Sequence, residues 1–228
     1  MKYLAYFQSY TNTYDTPERL AGLYEEALSV PDVVGLVVGT RPDCMPDVVL
    51  DRLAEMARRV FVLVEYGVET TDNATLRRIN RGHTFECAAQ AVVRTAERGI
   101  PVGAHLILGL PGETREAMVE RAGEMSCLPL NTLKLHQLQV LRGTRMAVEY
   151  ERSPEDFVSF TAESYAGTVV DFLERLRPNI AVERFTSQSP RELLVWPDWG
   201  LKNYEFTALV KRELERRDTR QGRLWRTS

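Results

Sequence analysis

Residues 99–114 read "GIPVGAHLILGLPGET". The apolar run Val102 to Leu108 is too short for a core helix and has Gly-Ile-Pro before it and Gly109-Leu-Pro-Gly after it, so it reads as a strand between two turns. Thr114 stands where it can cap a following helix. A near-continuous apolar run of this kind suits a strand buried on both faces of a parallel sheet, since an antiparallel strand with one wet face alternates.

The same unit recurs in both directions. Strand candidates are Tyr3 to Phe7, Val33 to Val38, Val60 to Glu65, Val102 to Leu108, Leu133 to Leu141 and Ile180 to Phe185. Between them Leu20, Leu23, Tyr24, Ala27 and Leu28 recur at helical spacing, as do Leu50, Leu53, Ala54 and Ala57. Asp72 or Thr71 can start a short helix through Leu76 and Ile79, and Thr84 a longer one that stops at Gly99. Ser153 before Pro154 predicts the start of a long helix to about Arg177. Crossovers of this length make right-handed βαβ units and a parallel sheet that closes, wholly or in part, into a barrel. Its chemistry belongs in the loops at the carboxyl ends of the strands.

The chain has 228 residues, net charge -3 and 44% hydrophobic residues, enough for one large core. No global positive field draws nucleic acid to it. Cys44, Cys87 and Cys127 form no CxxC pair, and no secretory signal or long apolar span is present, which points to a cytoplasmic protein without a disulfide framework. Each cysteine reads as a small buried hydrophobe.

The strand ends read "FQSYTNTY", "GTRPD", "EYGVETT", "HLILGLPGET" and "LHQLQVLRGT". They place Gln8, Thr11, Asn12, Arg41, Asp43, Glu65, Glu69, His105, Glu113, His136, Gln137, Gln139 and Arg142 toward one mouth. Ordinary turn chemistry accounts for any one of them equally well. Glu65 and His105 stand apart, because an ionisable group on an apolar strand needs a partner: a ligand hydroxyl or amine, or each other. In "LRRINRG", Arg77, Arg78 and Arg81 lie near a helix end that Gly82 can terminate, where bases serve the helix dipole or an anion.

Taken in order, these strand ends resemble the radical S-adenosylmethionine (SAM) superfamily, in the branch of elongator-type catalytic subunits and oxygen-independent coproporphyrinogen oxidase. "YLAYFQSYTNTY", "VGLVVGTRPDCMPDVVLDRL", "GVETTDNATLRRINRGH" and "HLILGLPGET" resemble its YtqA/YhcC-type bacterial family. The resemblance implies a partial parallel (β/α)6 TIM-like barrel over residues 1–178, with a C-terminal strand and helical extension over 179–228. It also implies a 4Fe-4S cluster and SAM, cleaved to a 5'-deoxyadenosyl radical that abstracts hydrogen from a substrate, with flavodoxin or ferredoxin as electron donor.

Position by position it places Gln8, Ser9 and Thr11 at the SAM amino group, Glu69 close to SAM and Arg81 at the SAM carboxylate. His105 falls near the ribose, and Glu65 is a further cofactor-binding candidate. Gly109, Pro111, Gly112, Val140 and Leu141 fall beside the adenine. An arginine and a carboxylate answer the two signs of a zwitterionic cofactor.

The family's defining CxxxCxxC loop is not in these residues, and the three dispersed cysteines cannot imitate it. Tyr3 to Phe7 resembles the second strand of the family barrel. The expectation is therefore a SAM-binding part that lacks the first β/α unit and is inactive alone; the alternative is a non-catalytic binding module of the same fold that has lost the cluster. A strand left open in this way invites self-association. The basic tail, Lys211 to Arg226 with Trp225, reads as an RNA-facing patch or, more simply, as a solvated helix face.

Overall fold

A computed structural model describes residues 1–8 and 10–226. Strands β1 (Tyr3–Phe7), β2 (Val33–Thr40), β3 (Phe61–Glu69), β4 (Val102–Leu108), β5 (Thr132–Gln137) and β7 (Ala181–Arg184) hydrogen-bond in the order β1-β2-β3-β4-β5-β7. Strands β6 (Val140–Leu141) and β8 (Leu194–Trp196) form a separate antiparallel pair. The chain divides into two compact units, the first of residues 1–68, 82–105 and 128–132, the second of residues 69–81, 106–127 and 133–228.

In the first unit β1 runs parallel to β2 and β2 to β3, with Phe7 opposite Val38 and Gly39 opposite Glu65. Helices α1 (Pro17–Leu28), α2 (Asp47–Ala57) and α4 (Phe85–Glu97) accompany them, and Leu36, Val38, Leu50, Leu53, Val64 and Val92 are buried. Gly35 is required by proximity: a Cβ there would stand 2.4 Å from the Phe61 carbonyl oxygen. The loop after β1 is pinned by Asn12, whose amide donates to the carbonyls of Phe7 (3.1 Å) and Gly39 (2.8 Å). Tyr24 donates to the Asn12 carbonyl at 2.6 Å and meets Phe7 edge-on.

Strand β1 is not the buried strand its apolar run suggests. Among the described residues it pairs with β2 alone, and Tyr3, Leu4 and Tyr6 are 52%, 45% and 41% exposed.

In the second unit, α3 (Asn73–Arg78), α5 (Arg115–Ser126), α6 (Arg145–Arg152), α7 (Ala162–Arg175) and α8 (Asn203–Arg216) carry most of the packing. Leu110, Leu138, Val140, Ala147 and Phe157 form one buried cluster. Phe160, Tyr165, Trp199 and Phe206 form an aromatic one.

The helix caps at Thr16, Asp72, Thr84 and Thr114 all accept from the third residue into their helices. Elsewhere the expected boundaries shift. The apolar stretch 133–141 breaks at Leu138, whose N–H turns to the Leu108 carbonyl (2.9 Å), and its last two residues become β6. Ser153-Pro154 opens only a 3-10 turn, because Phe157 returns to extended backbone; the long helix starts at Ala162 from a Thr161/Ser164 capping box. Helix α3 ends through left-handed Asn80 (φ 55°), with Arg81 N–H on the Leu76 carbonyl, rather than through Gly82. Cys44 and Cys87 are half-buried and Cys127, at the end of α5, is exposed, so none is a core residue.

Candidate functional site

Strands β1, β3 and β4 each contribute one polar side chain to a row in the first unit. The Tyr6 hydroxyl donates to Glu65 Oε2 at 2.7 Å, and His105 Nε2 lies 3.1 Å from the same oxygen. Glu65 is 1% exposed. The expected partner of Glu65 is therefore His105 itself, joined by a phenol that the aromatic run of β1 hides from sequence reading. Room for this row comes from Gly103, where a Cβ would stand 3.0 Å from Glu65 Cγ and 2.7 Å from Thr132 Oγ1. A buried carboxylate held by neutral or protonable donors can take a proton, an ammonium or a hydroxyl.

The loops after β1 and β2 hold the rest of this unit's candidates. Gln8 is exposed, Thr11 is half-buried, and Ser9 lies outside the described residues. Arg41 forms a two-bond pair with Asp43 (Nε–Oδ1 2.9 Å, Nη2–Oδ2 2.6 Å) and lies over Gly82, where a Cβ would meet its Nη2 at 2.7 Å. A cavity of about 790 Å3, lined by Thr13, Tyr14, Cys44, Met45, Cys87 and Arg94 among others, opens beside them.

The second unit holds the opposite-sign pair. Glu69, the last residue of β3, has left-handed backbone (φ 67°), a conformation costly for a side chain of this kind, and its Oε1 lies 2.9 Å from Arg81 Nη2. The next residue explains how that backbone is held. Thr70, fully buried, donates to Glu113 Oε1 at 3.0 Å, and Arg121 grips both Glu113 oxygens at 2.7 Å. Burial pushes the Glu113 carboxyl above the usual carboxylate range, against the pull of Arg121 and Thr70. Glu113 is therefore a strut inside the protein, while Arg121, in mid-helix on a face that reads as amphipathic surface, gave no sequence signal.

The turn of Gly109 (φ 94°), Pro111 and Gly112 (φ 82°) is pinned from both sides. Gly112 N–H donates to the Asp156 carbonyl at 2.8 Å, and a Cβ on Gly112 would stand 2.8 Å from Arg78 Nη1. Arg78 is bound to Glu149 and Asp156, so it braces the turn. Val140 is fully buried in the core opposite Trp196, and Leu141 pairs with Leu194. His136 on β5 meets Arg184 on β7 (Nε2–Nη2 3.0 Å). In the basic tail, Arg216 and Arg217 are paired with Glu213, and Arg217 also with Asp171.

The described residues contain no group of three or more His, Cys, Asp or Glu able to hold a metal ion. The cysteines of this chain therefore do not fit a 4Fe-4S cluster. Glu69 and Arg81 do fit the two charges of SAM's amino-acid end.

A partial parallel barrel with polar strand ends, a glycine turn and a zwitterion-matching pair defines a class. The chain belongs to the radical SAM superfamily: residues 6–124 match that family and residues 130–216 match the Radical_SAM C-terminal domain.

Among its relatives, YtqA of Bacillus subtilis is 39% identical over 224 residues, covering 98% of this chain and 69% of the relative. Protein YhcC of Escherichia coli is 36% identical over 199 residues, 87% of this chain and 64% of the relative. The tRNA uridine(34) acetyltransferase of Dehalococcoides mccartyi is 26% identical over 192 residues, 81% of this chain and 40% of that protein. The solved archaeal Elp3 of Methanocaldococcus infernus, with an N-terminal deletion, shares the fold at TM-score 0.78 and 19% identity, over 95% of this chain and 54% of that one. The fold is thus the α/β six-strand parallel half-barrel of radical SAM proteins. This chain spans about two thirds of the length of YtqA and YhcC.

Proposed function

We propose that this chain is the SAM-binding part of a radical SAM oxidoreductase. The observation that carries the reading is the Glu69–Arg81 pair, a carboxylate and a guanidinium 2.9 Å apart at the end of β3, one of them held in strained backbone. Strain of this kind gathers where a protein keeps a side chain in place for a ligand. Arg81 would take the SAM carboxylate and Glu69 the ammonium; in the first unit the resemblance assigns Gln8 and Thr11 to the amino group. In the first unit His105, backed by Glu65, is assigned to the ribose; in the second the backbone of Gly109, Pro111, Gly112, Val140 and Leu141 is assigned to the adenine. Bound SAM, together with a reduced cluster, would supply hydrogen-abstracting radical chemistry. Since the cysteines here do not fit that cluster, the proposed role of these residues is binding and orientation: the chain alone binds SAM weakly and cleaves none.

We further propose an RNA, as one candidate substrate of the whole protein, and an electron donor of the flavodoxin or ferredoxin kind; a relative at 26% identity is named a tRNA uridine(34) acetyltransferase. No helix among the described residues is long and apolar enough to cross a membrane, in keeping with the proposed cytoplasmic location. A non-catalytic module that keeps the fold for binding is the second reading, favoured by the absence of a cysteine set in these residues.

Calorimetric titration of SAM into wild type and Arg81→Ala tests the proposal. A loss of about tenfold or more is expected for one charge-assisted contact. Equal affinity removes Arg81 from the site, and cleavage of SAM by this chain after reconstitution with iron and sulfide overturns its assignment as a binding part alone.

A further inference from the structure

A cavity of about 360 Å3 in the second unit, inside the residues matching the Radical_SAM C-terminal domain, lies at the carboxyl ends of β5 and β7. Its size suits a small molecule. We propose that it is a substrate pocket for a planar small molecule bearing a carboxylate or phosphate.

The pocket is built and its walls are fixed. Gln137 clamps the loop after β7 with both ends of its amide: Nε2 donates to the Ser187 carbonyl at 3.0 Å and Oε1 accepts from Ser187 N–H at 2.9 Å. Thr186 ties the same loop to the start of α8 through Asn203, at 2.9 Å. On the opposite wall the Trp199 indole N–H is spent on the Phe160 carbonyl at 3.0 Å. Its ring stacks on Phe206 (centroids 5.7 Å apart, 17° between planes) and leans on Tyr165. The indole therefore has no freedom to turn and presents a rigid apolar surface, against which a flat ring packs well.

The lining carries two cations, Arg191 and Lys202, against one carboxylate, Asp198, and Gln188 offers both a donor and an acceptor. Gln139 Oε1 accepts from the hydroxyls of Ser187 (3.3 Å) and Ser189 (2.7 Å), which fixes the oxygen toward the serines. Among the described residues, the Gln139 amide nitrogen and the Lys202 ammonium bond to no other group, although both residues line the cavity. Arg191 holds Asp198 only loosely, at 3.8 Å and largely in solvent. Unspent N–H groups, one of them cationic, ask for an acceptor-rich anion.

Location gives the role, and this step rests on the SAM reading above. Leu138, between Gln137 and Gln139, donates its N–H to Leu108, and a Cβ on Gly109 would stand 3.7 Å from Leu138 Cβ and 3.5 Å from the Phe160 ring. Leu138 and Phe160 thus separate this pocket from the glycine turn assigned to the adenine. A molecule held against Trp199 lies one side chain away from the cofactor segment, where a substrate must be.

The test uses Trp199 as its own reporter, in a chain carrying Trp196→Phe and Trp225→Phe. Benzoate, phenyl phosphate, inorganic phosphate and neutral benzyl alcohol are titrated while tryptophan emission is followed. Benzoate or phenyl phosphate should give a saturable change, the tighter of the two naming the anion. Benzyl alcohol and inorganic phosphate should bind at least about tenfold more weakly, as should either aromatic anion to Lys202→Met and to Gln139→Leu, each variant removing one charge-assisted contact.

Equal binding of benzyl alcohol, no saturable response to either aromatic anion, or affinity unchanged in Lys202→Met overturns the proposal. Lys202 is exposed, so that variant decides the matter even if Gln139→Leu fails to fold. None of these titrations contains SAM. Anion binding with no SAM affinity would leave the pocket standing and remove its link to the cofactor; SAM affinity with no anion binding would do the reverse.

Discussion

Thr70 and Glu113, 43 residues apart in sequence, meet at 3.0 Å inside the protein, the threonine fully buried and the carboxylate gripped on its far side by Arg121. The threonine immediately follows left-handed Glu69, so this bond fixes the backbone that aims Glu69 at Arg81. A buried hydrogen bond to a charged group contributes about 1.5 to 3 kcal/mol. Thr70→Val should lower unfolding free energy by about that amount, and Thr70→Ser should restore most of it. SAM affinity should fall in the valine variant and return with serine. A valine variant with wild-type melting and wild-type affinity would dissolve the strut.

Arg121 carries a heavier load, being 4% exposed with its carboxylate partner equally hidden. Removing one member of such a pair leaves the other charged and buried, at a cost of about 3 to 5 kcal/mol. Arg121→Met should therefore melt far below wild type in calorimetry. The double variant Arg121→Met/Glu113→Leu should recover part of the loss, since no orphan charge remains.

Glu213 sets an acid limit for α8. The hydrogen bond from Arg216 foremost, joined by that from Arg217 and the charges of both, holds its carboxyl down at about 2 against the opposing effect of burial. A depressed carboxyl stabilises the fold above its unfolded value and loses that contribution as pH falls through the folded one. The expected window is thus from the ordinary glutamate range down to about 2. Carboxyl NMR titration should find Glu213 ionised at pH 3 while ordinary glutamates (about 4.3 when unperturbed) are largely protonated. Glu213→Gln should flatten the acid branch of the stability curve.

The one-sided pairing of β1 gives a prediction about association. Its exposed Tyr3, Leu4 and Tyr6 lie on the end strand of the sheet as the described residues form it, and an end strand templates pairing with another chain. Sedimentation velocity should show concentration-dependent association of this chain, and Leu4→Lys should abolish it. A single monomeric species at high concentration would refute the expectation.

Much of the fold was legible because it rests on local chemistry. Thr84 and Thr114 cap helices whatever else surrounds them, and the apolar strands announce burial without needing a partner named. What escaped depends on distant contacts. Leu138 looks like one more apolar residue in a strand and becomes a turn only because its N–H finds Leu108. Ser153-Pro154 carries the signature of a helix start, yet the competing Thr161/Ser164 box, eight residues on, takes the helix. In the site, the Glu65–His105 pairing was legible as a need for a partner, but Tyr6 was not, since a tyrosine in an aromatic run reads as packing. Arg81 and Glu69 stood out by charge; the strut beneath them did not, because Arg121 declares its carboxylate only once α5 is folded.

The last stretch described behaves as a latch. The Gln221 amide donates to the carbonyls of Arg177 (2.9 Å) and Ile180 (2.8 Å), on either side of Pro178, while Gly222 and Leu224 hand their N–H groups to Leu173 and Glu174. Two carbonyls leading into β7 are thereby bonded by a described segment that contributes no strand or helix. Removing the described residues after α8 would cut no helix or strand among them and would still unlock the entry to an edge strand of the sheet.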